Sequence, residues 1–257
     1  MQIEVTGSAG RPVRAVSHGD ESAPAVLVAH GFKGFKDWGS FPWICDQLAS
    51  AGLRAIRFDF SHNGVEATDF DRLDLFLLDT PTRHQEDLAA LAAGIPGPLG
   101  ILGHSRGGGD AILFAASEPR VKAVVTLASV ASTILNVPDK EKLLREKGYY
   151  PFPNARTKQL MPVARDAFDD GERHSIEQAA RSLTCPLVAV HGDQDEAVPI
   201  SAQQQIVSWC PHAEAVVIER TGHTFGAVHP FAGPTEALRL ALAPAIRTLR
   251  AALLPGA

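Results

Sequence analysis

The chain has 257 residues, of which 45% are hydrophobic and 21% charged, so it can bury a packed core and is not a disordered segment. This length allows one large α/β domain or two small ones. Its 24 basic and 29 acidic side chains leave a formal charge of −5 at pH 7, which argues against the clustered lysine and arginine of a nucleic-acid-binding surface.

The three cysteines, Cys45, Cys185 and Cys210, lie far apart without C-x-x-C spacing. We therefore expect reduced thiols, with no disulfide scaffold and no structural metal site. The first ten residues lack a basic region followed by an apolar run, and no apolar stretch reaches the roughly 18–20 residues of a membrane span. These observations predict a cytoplasmic protein without a membrane partner.

Strand-like segments begin at the N-terminus and recur along the chain. Residues 3–7 and 12–18 alternate in polarity and predict an antiparallel hairpin. Short, mostly aliphatic runs bounded by glycine, proline or polar residues are typical of strands buried on both faces of a parallel sheet. Six such runs follow the hairpin, at residues 25–31, 53–60, 99–105, 121–129, 186–192 and 215–220. Together these segments predict a sheet of about eight strands.

Helical patterns fill most of the gaps between these runs. They cover residues 40–51, 82–93, 107–117, 201–209 and 235–253. The last has leucines at 238, 242, 249 and 253 on one face, and Pro244 is expected to kink or divide it. The alternation of strands and helices predicts an α/β fold, a doubly wound, mostly parallel sheet with helices on both faces.

One gap is too long for a simple crossover. About 55 residues separate Ser129 from Pro186, whereas a crossover connection needs about a dozen. We interpret residues of about 131–184 as a short helical lid inserted into a single domain that spans residues 1–257.

Within this insertion, residues 139–148 and 174–183 have helical patterns, and an irregular turn is expected over 149–157. The turn region carries three aromatic side chains that are candidates for lining a substrate pocket, Tyr149, Tyr150 and Phe152. Packing within the lid explains the same residues equally well.

The most specific motif is Gly103-His104-Ser105-Arg106-Gly107, which follows a strand and precedes a helix. This is G-x-S-x-G in the strand–turn–helix setting that lifts a serine hydroxyl clear of a sheet. Glycines two residues away on each side let the strand and the helix pass closely, and the N–H groups of the helix N-terminus face the developing negative charge. Ser105 is therefore the predicted nucleophile. The alternatives are a glycine-rich turn with an incidental serine, or a phosphate-binding turn.

An activated serine also needs N–H donors for the oxyanion that forms on the substrate. We predict that the backbone N–H groups of Phe32 and Arg106 form this oxyanion hole, because Phe32 follows an early strand and Arg106 follows the nucleophile. A plain turn at the strand end is the alternative for residues 30–32. The side chain of His30 is expected to be buried and hydrogen-bonded.

The catalytic acid is expected on the loop after a later strand, where Asp193 and Asp195 both occur. Asp195 is preferred because it stands on a tight loop before the next helix. Asp193 remains the alternative, or a turn carboxylate that accepts backbone N–H groups.

The catalytic base is expected after the last strand, where His223 follows Gly222. His229 is the alternative base and is better explained as a packing or surface residue, and His191 is interpreted as structural. The resulting order Ser105, Asp195, His223 is the nucleophile–acid–base order of one specific fold.

These motifs resemble those of the α/β-hydrolase-fold serine hydrolases. The resemblance covers almost the whole chain, through H-G-F at 30–32, G-H-S-R-G-G at 103–108, H-G-D-Q-D-E-A-V-P at 191–199 and G-H at 222–223. Within that superfamily the chain is most similar to small bacterial esterases of the dienelactone-hydrolase-like and feruloyl-esterase-like groups, through H-G-F, the short lid and N-A-R-T at 154–157. It departs from them at Arg106, where many have Gln or Met, and in using serine where dienelactone hydrolases use cysteine.

The resemblance and the motifs together predict a serine esterase that acts through an acyl-enzyme intermediate. Its expected partner is a small-molecule ester, with no nucleic acid, membrane, metal or organic cofactor, and the chain is expected to be a monomer or homodimer. Thioester hydrolysis, peptide hydrolysis and acyl transfer are alternatives that use the same triad. A non-catalytic binding module on the same fold is a further alternative.

Two sets of charged residues, one beside the oxyanion loop and one in the lid, are expected to be solvated and to have no catalytic role. Lys33 and Lys36 are expected to be solvated loop residues, although they would also attract an acidic substrate. The acidic side chains of the lid are expected to form a solvated face, because their spacing matches no calcium loop. They are Asp166, Asp169, Asp170 and Glu172.

Overall fold

An eight-stranded sheet forms the centre of the molecule in a computed structural model that describes residues 1–67 and 69–254. Residues 68 and 255–257, which belong to the predicted single domain, lie outside that description. The strands of the described residues are β1 (Gln2–Thr6), β2 (Pro12–His18), β3 (Ala25–Ala29), β4 (Arg54–Phe58), β5 (Leu99–His104), β6 (Val121–Leu127), β7 (Tyr149–Pro153), β8 (Leu160–Ala164), β9 (Leu187–Gly192) and β10 (Ala213–Ile218).

The large sheet has the order β1-β2-β4-β3-β5-β6-β9-β10. Strands β1 and β2 pair antiparallel, with Gln2 opposite Val16, and β2 pairs antiparallel with β4. All other neighbours in this sheet are parallel. The predicted α/β fold with a doubly wound, mostly parallel sheet of eight strands is confirmed.

Helices cover both faces of the sheet. Those of the described residues are α1 (Phe41–Ser50), α2 (Leu73–Phe76), α3 (Pro81–Ala93), α4 (Arg106–Ser117), α5 (Lys140–Lys147), α6 (Arg165–Gly171), α7 (Ile176–Ser182), α8 (Ser201–Trp209) and α9 (Glu236–Leu253). One apolar cluster joins the sheet to α3, α4, α7 and α8, and a second joins it to α1 and α9. In β3, Leu27 belongs to the first cluster while Val26 and Val28 belong to the second, as the two-residue period of a strand requires.

Helix α9 runs unbroken from Glu236 to Leu253, which corrects the expectation that Pro244 divides it. The side-chain oxygen of Thr235 accepts a hydrogen bond from the N–H of Leu238 and caps the helix. The face that carries Leu238, Leu242 and Leu249 is buried against the sheet, so tertiary packing holds both halves of the helix in place.

Residues 128–186, here called the insertion segment, connect β6 to β9 and contain α5, the β7–β8 hairpin, α6 and α7. The irregular turn expected over 149–157 is wrong for its first five residues, because Tyr149–Pro153 is strand β7. This strand contains two prolines, Pro151 and Pro153, which a central strand rarely tolerates. They are accommodated because each strand of a two-stranded sheet has a free edge that needs no ladder donor.

Strand β5 and helix α4 pass so close to each other that no side chain fits at Gly103 or Gly107. A Cβ atom built on Gly103 would overlap the backbone of Gly107, and one built on Gly107 would overlap the carbonyl oxygens of Ala29 and His30. All of these neighbours are backbone atoms and cannot rotate away. The two glycines therefore allow the helix to start directly above the ends of β3 and β5.

We expect Gly107→Ala to lower the free energy of unfolding by about 2–3 kcal/mol or more, because the backbones of β3 and α4 must separate. The control is Gly94→Ala, where φ is −82° and the nearest atom to the new Cβ, the carbonyl oxygen of Leu91, is 3.7 Å away. That variant should match the wild type or gain up to about 1 kcal/mol. Equal urea midpoints for the two variants would contradict the steric account of the crossing.

Candidate active site

Ser105 lies on a strained turn between β5 and α4, with φ of 57° and ψ of −122°. Positive φ is unfavourable for a residue with a side chain and persists only where its surroundings enforce it. Here the N–H of Ser105 donates to the carbonyl of Leu127 at 2.9 Å, and its own carbonyl accepts from the N–H of Gly108 at 2.9 Å. A Cβ on Gly31 would lie 2.8 Å from that of Ser105, so the glycine leaves room for the serine.

Asp195 and His223 form a hydrogen-bonded pair on the loops after β9 and β10. Asp195 Oδ2 lies 2.8 Å from His223 Nδ1, and Asp195 Oδ1 accepts from the N–H groups of Ala197 and Val198 at 2.9 Å each. Burial acts to raise the pKa of Asp195, but the hydrogen bonds from Val198 and His223 outweigh it and the pKa is lowered. An ionised Asp195 holds the proton of His223 on Nδ1 and leaves Nε2 as an acceptor.

Neighbouring acidic and histidine side chains have structural contacts instead. The N–H of Thr221 donates to Asp193 Oδ1 at 3.4 Å, and His191 Nε2 donates to the carbonyl of Val198 at 2.9 Å. His229 packs against Phe35 and Trp38, with ring centroids 5.2 and 6.2 Å away. Of the candidates predicted for acid and base, Asp195 and His223 are therefore the pair that the structure brings into contact.

His104, which the motif search did not single out, supports His223. Its Nε2 donates to the backbone carbonyl of His223 at 3.0 Å, and the two rings are 4.8 Å apart. Burial, reinforced by the neighbouring His223, lowers the pKa of His104 to about 3, so its ring is neutral. The G-x-S-x-G motif does not predict this contact, because His104 and His223 are 119 positions apart in the sequence.

A cavity of about 400 Å³ is lined by both Ser105 and His223. This volume is within the range of small-molecule sites. Much of the lining is apolar and comes from the loop after β3, from α2 and from the insertion segment. The aromatic and larger aliphatic members of the lining are Phe32, Phe76, Val130, Leu135, Phe152, Val163 and Val198.

Of the three aromatic residues predicted to bind substrate, only Phe152 lines this cavity among the described residues. Tyr150 packs against Phe152 and Phe168, with ring centroids 4.7 and 6.1 Å away. Tyr149 pairs with Ala164 and points to the other face of β7, because successive side chains of a strand alternate. Tyr149 and Tyr150 thus lie outside the lining of this cavity, and a role for them in binding substrate stays a prediction.

The loop after β3 places Phe32 in the wall of the cavity that Ser105 also lines. His30, buried as expected, donates from Nδ1 to the carbonyl of Gly31 at 3.0 Å and accepts at Nε2 from the N–H of Phe60 at 3.4 Å. Arg106 is the first residue of α4, and the first N–H groups of a helix have no acceptor within it. Both predicted oxyanion donors thus border the cavity that Ser105 lines.

The side chain of Arg106 belongs to a buried charged cluster that sequence reasoning missed. His84 Nδ1 lies 2.7 Å from Asp110 Oδ2, and His84 Nε2 lies 2.8 Å from Asp79 Oδ1. Arg106 Nη2 contacts the other oxygen of Asp79, Oδ2. Arg106 Nη2 also lies 2.5 Å from His84 Nε2. Carboxylates at both ring nitrogens favour the doubly protonated ring, so His84 is assigned as an imidazolium. The one available signal was the i, i+4 spacing of Arg106 and Asp110 in an otherwise small and apolar helix.

The pKa of His84 agrees with this geometry. Burial and the Arg106 charge act to lower the pKa of His84, but Asp79 and Asp110 outweigh them and raise it to about 9. Asp79, Arg106 and Asp110 all line the cavity, so the cluster forms a polar wall within an otherwise apolar pocket.

The two lysines near the oxyanion loop are engaged, which corrects their interpretation as solvated residues. Lys33 Nζ donates to the carbonyl of Pro153 at 3.0 Å, and Lys36 Nζ lies 3.0 Å from Asp59 Oδ2. Asp170 is likewise buried and accepts hydrogen bonds from the N–H and hydroxyl of Thr82, both at 2.7 Å. It fastens the insertion segment to α3, whereas the other three acidic side chains of that predicted face, at 166, 169 and 172, are exposed.

Within residues 1–67 and 69–254, no group of three or more His, Cys, Asp or Glu side chains is arranged to hold a metal ion. None of the helices in the same residues is both long and apolar enough to cross a bilayer. Cys45, Cys185 and Cys210 are buried free thiols.

Comparison with known families agrees with the geometry. Residues 13–240 match the sequence model of the dienelactone hydrolase family. The chain is 23% identical over 206 residues to the human protein named palmitoyl-protein thioesterase ABHD10, mitochondrial, covering 77% of this chain and 65% of that protein. It thus spans just under two thirds of the length of this relative. It is 26% identical over 212 residues to a monoacylglycerol lipase of Mycolicibacterium smegmatis, covering 71% and 74%.

Solved structures share the fold at low sequence identity. Est1E of Butyrivibrio proteoclasticus, solved with bound ferulic acid, superimposes with a TM-score of 0.74 at 20% identity, covering 97% of this chain and 98% of that one. Mouse alpha/beta hydrolase domain-containing protein 10 superimposes with a TM-score of 0.77 at 18% identity, covering 98% and 99%. The predicted resemblance to α/β-hydrolase esterases is confirmed.

The charged cluster predicts a pH dependence of stability. The pKa of a histidine in the unfolded chain is about 6.5, so with a folded pKa of about 9 the stabilisation by His84 is fully present below pH 6.5 and is lost as the pH rises through 9. We expect the wild type to exceed His84→Gln in unfolding free energy by more at pH 6 than at pH 9.5, measured by urea titration. The exposed His212→Gln variant should follow the wild-type profile. A constant difference between wild type and His84→Gln would contradict a charged His84.

Proposed function

The chain belongs to the dienelactone hydrolase family, and we propose that it is a serine esterase acting through an acyl-enzyme intermediate. The observation that carries this proposal is the arrangement around one cavity. Ser105 on its strained turn and His223, paired with Asp195, both line it. Nucleophile, acid and base follow one another in the order that this fold uses.

In the first step, Ser105 Oγ attacks the ester carbonyl carbon while His223 Nε2 takes the hydroxyl proton. Asp195 keeps the histidine proton on Nδ1 and stabilises the imidazolium that forms. The carbonyl oxygen becomes an oxyanion that accepts hydrogen bonds from the N–H groups of Phe32 and Arg106. Each such donor typically lowers the barrier by about 3–4 kcal/mol.

The tetrahedral intermediate then collapses. The bond from the carbonyl carbon to the alcohol oxygen breaks, and the imidazolium of His223 gives its proton to the departing alcohol. Water enters, loses a proton to His223 Nε2 and attacks the acyl group. The second collapse returns that proton to Ser105 and releases the carboxylic acid.

The size and lining of the cavity favour a small-molecule ester as the substrate. Its walls include the aromatic rings of Phe32, Phe76 and Phe152, and its volume of about 400 Å³ is large enough for a ligand of about the size of a drug molecule. Thioester hydrolysis by the same triad is the second candidate, because the human relative is named a thioesterase. The two reactions differ only in the leaving group, so one panel of esters and thioesters with a common acyl group separates them.

We expect Ser105→Ala to lower kcat/KM by about 10⁴-fold or more on any ester that the wild type hydrolyses. Initial rates on acetate, octanoate and cinnamate esters give the measurement. Ser117→Ala, at the exposed far end of the same helix, is the matched control and should keep full activity.

A serine-directed phosphonate should label the wild type and not Ser105→Ala. Undiminished turnover by Ser105→Ala would refute the proposal, and absent turnover and labelling in folded wild type would favour a binding module.

We expect Asp195→Asn to lower kcat by about 10³–10⁴-fold, because an amide in contact with His223 no longer fixes the productive tautomer. Asp193→Asn should retain most activity, since the side chain of Asp193 accepts from the backbone N–H of Thr221 at 3.4 Å and, among the described residues, makes no hydrogen bond to the His223 ring. Steady-state kinetics on the best ester distinguishes the two carboxylates. A larger loss in Asp193→Asn would reverse their assignment.

A further inference from the structure

The guanidinium of Arg106 lies in the polar wall of the cavity. Its two terminal nitrogens differ in their hydrogen bonds. Nη2 contacts Asp79, whereas Nη1 has no hydrogen-bond partner among residues 1–67 and 69–254. Arg106 lines the cavity, and its side chain is 16% exposed. The guanidinium carbon lies 5.4 Å from the centroid of the Phe32 ring. The side chain is thus held in place by Asp79 and Phe32 and still has N–H groups to offer.

The charges around Arg106 balance. His84 lies between two carboxylates, 2.8 Å from Asp79 and 2.7 Å from Asp110, and is therefore a cation. Two anions thus face two cations, and the four groups together are neutral. A substrate carboxylate brought to this wall would meet Asp79 and Asp110 without an uncompensated positive charge from the cluster, and burying such an anion is costly. Lys33, the other cation that lines the cavity, lies outside the cluster and already donates to the carbonyl of Pro153.

A neutral oxygen atom fits the same wall without that cost. It accepts a hydrogen bond from Arg106 Nη1 and brings no charge close to the two carboxylates. Hydrogen bonds to charged donors are stronger than those between neutral groups. The surrounding rings of Phe32 and Phe152 accommodate the apolar remainder of the same group.

We propose that the Arg106 side chain determines specificity by donating from Nη1 to a neutral oxygen, such as an ether, hydroxyl or ketone, on the acyl group of the substrate. This inference rests on the proposed esterase function. The acyl group is the part assigned to the cavity because it stays bound through both steps. The alcohol must leave and be replaced by water, which requires an open side. Arg106 then recognises substrate with its side chain and stabilises the oxyanion with its backbone.

The test uses three p-nitrophenyl esters of 3-arylpropanoic acids that differ only at the ring para position. The substituents are ethyl, methoxy and carboxylate, which have similar sizes. In the wild type we expect kcat/KM for the methoxy ester to exceed that of the ethyl ester by about 10- to 100-fold, and the carboxylate ester to be the poorest. This comparison needs no variant and so does not depend on a variant's folding.

Two variants then locate the source of the preference. Arg106→Met should reduce the methoxy-to-ethyl ratio to about one, because it removes the donor and keeps a side chain of similar length. Lys33→Met removes the other cation that lines the cavity together with its hydrogen bond to Pro153, so kcat/KM should fall by the same factor for both esters and their ratio should stay unchanged. A ratio that survives in Arg106→Met, or that disappears in Lys33→Met, would overturn the assignment to Arg106.

Other outcomes are equally decisive. Equal wild-type rates for the methoxy and ethyl esters, or a preference for the carboxylate ester, would overturn the proposal. A second series places the same rings in the alcohol part of acetate esters and should show no preference. A preference found only there would overturn the assignment to the acyl group. If no ester is hydrolysed and a phosphonate fails to label Ser105, the proposed function itself fails, and this assignment with it.

Discussion

The close crossing of strand β5 and helix α4 is the constraint on which the rest of the site depends. Backbone atoms meet where side chains would stand at Gly103 and Gly107, so the helix begins directly at the sheet edge. That proximity forces Ser105 into positive φ and turns its hydroxyl away from the sheet. It also sets the first N–H groups of α4 beside Ser105, the proposed nucleophile, where negative charge is proposed to develop.

Two carboxylate–histidine systems flank Ser105, and their surroundings give them opposite roles. His223 has one carboxylate partner, Asp195, at one ring nitrogen, so its other nitrogen remains an acceptor. His84 has carboxylates at both nitrogens and is held as a cation. The first arrangement suits proton transfer, and the second suits fixed charge that orients Arg106. Both residues are histidines, so the difference between them comes from the groups that contact their two ring nitrogens.

The insertion segment and the core depend on each other at the cavity. Phe152 from the hairpin packs 5.2 Å from the ring of Phe32, and Lys33 donates a hydrogen bond to the neighbouring carbonyl of Pro153. The loop proposed to hold the oxyanion is therefore fastened to the segment that walls the pocket. Changes in the insertion segment should alter both the shape of the pocket and the position of Phe32.

The sequence by itself determined the sheet, most of its helices, and the candidates Ser105, Asp195 and His223, because short apolar runs and turn motifs are local signals. It did not determine the β7–β8 hairpin, whose prolines obscured a strand pattern that only pairing reveals. Nor did it determine the charged cluster, which joins the loop between α2 and α3 to α3 and α4. Such contacts depend on which helix faces pack together, and that is decided by the tertiary structure alone.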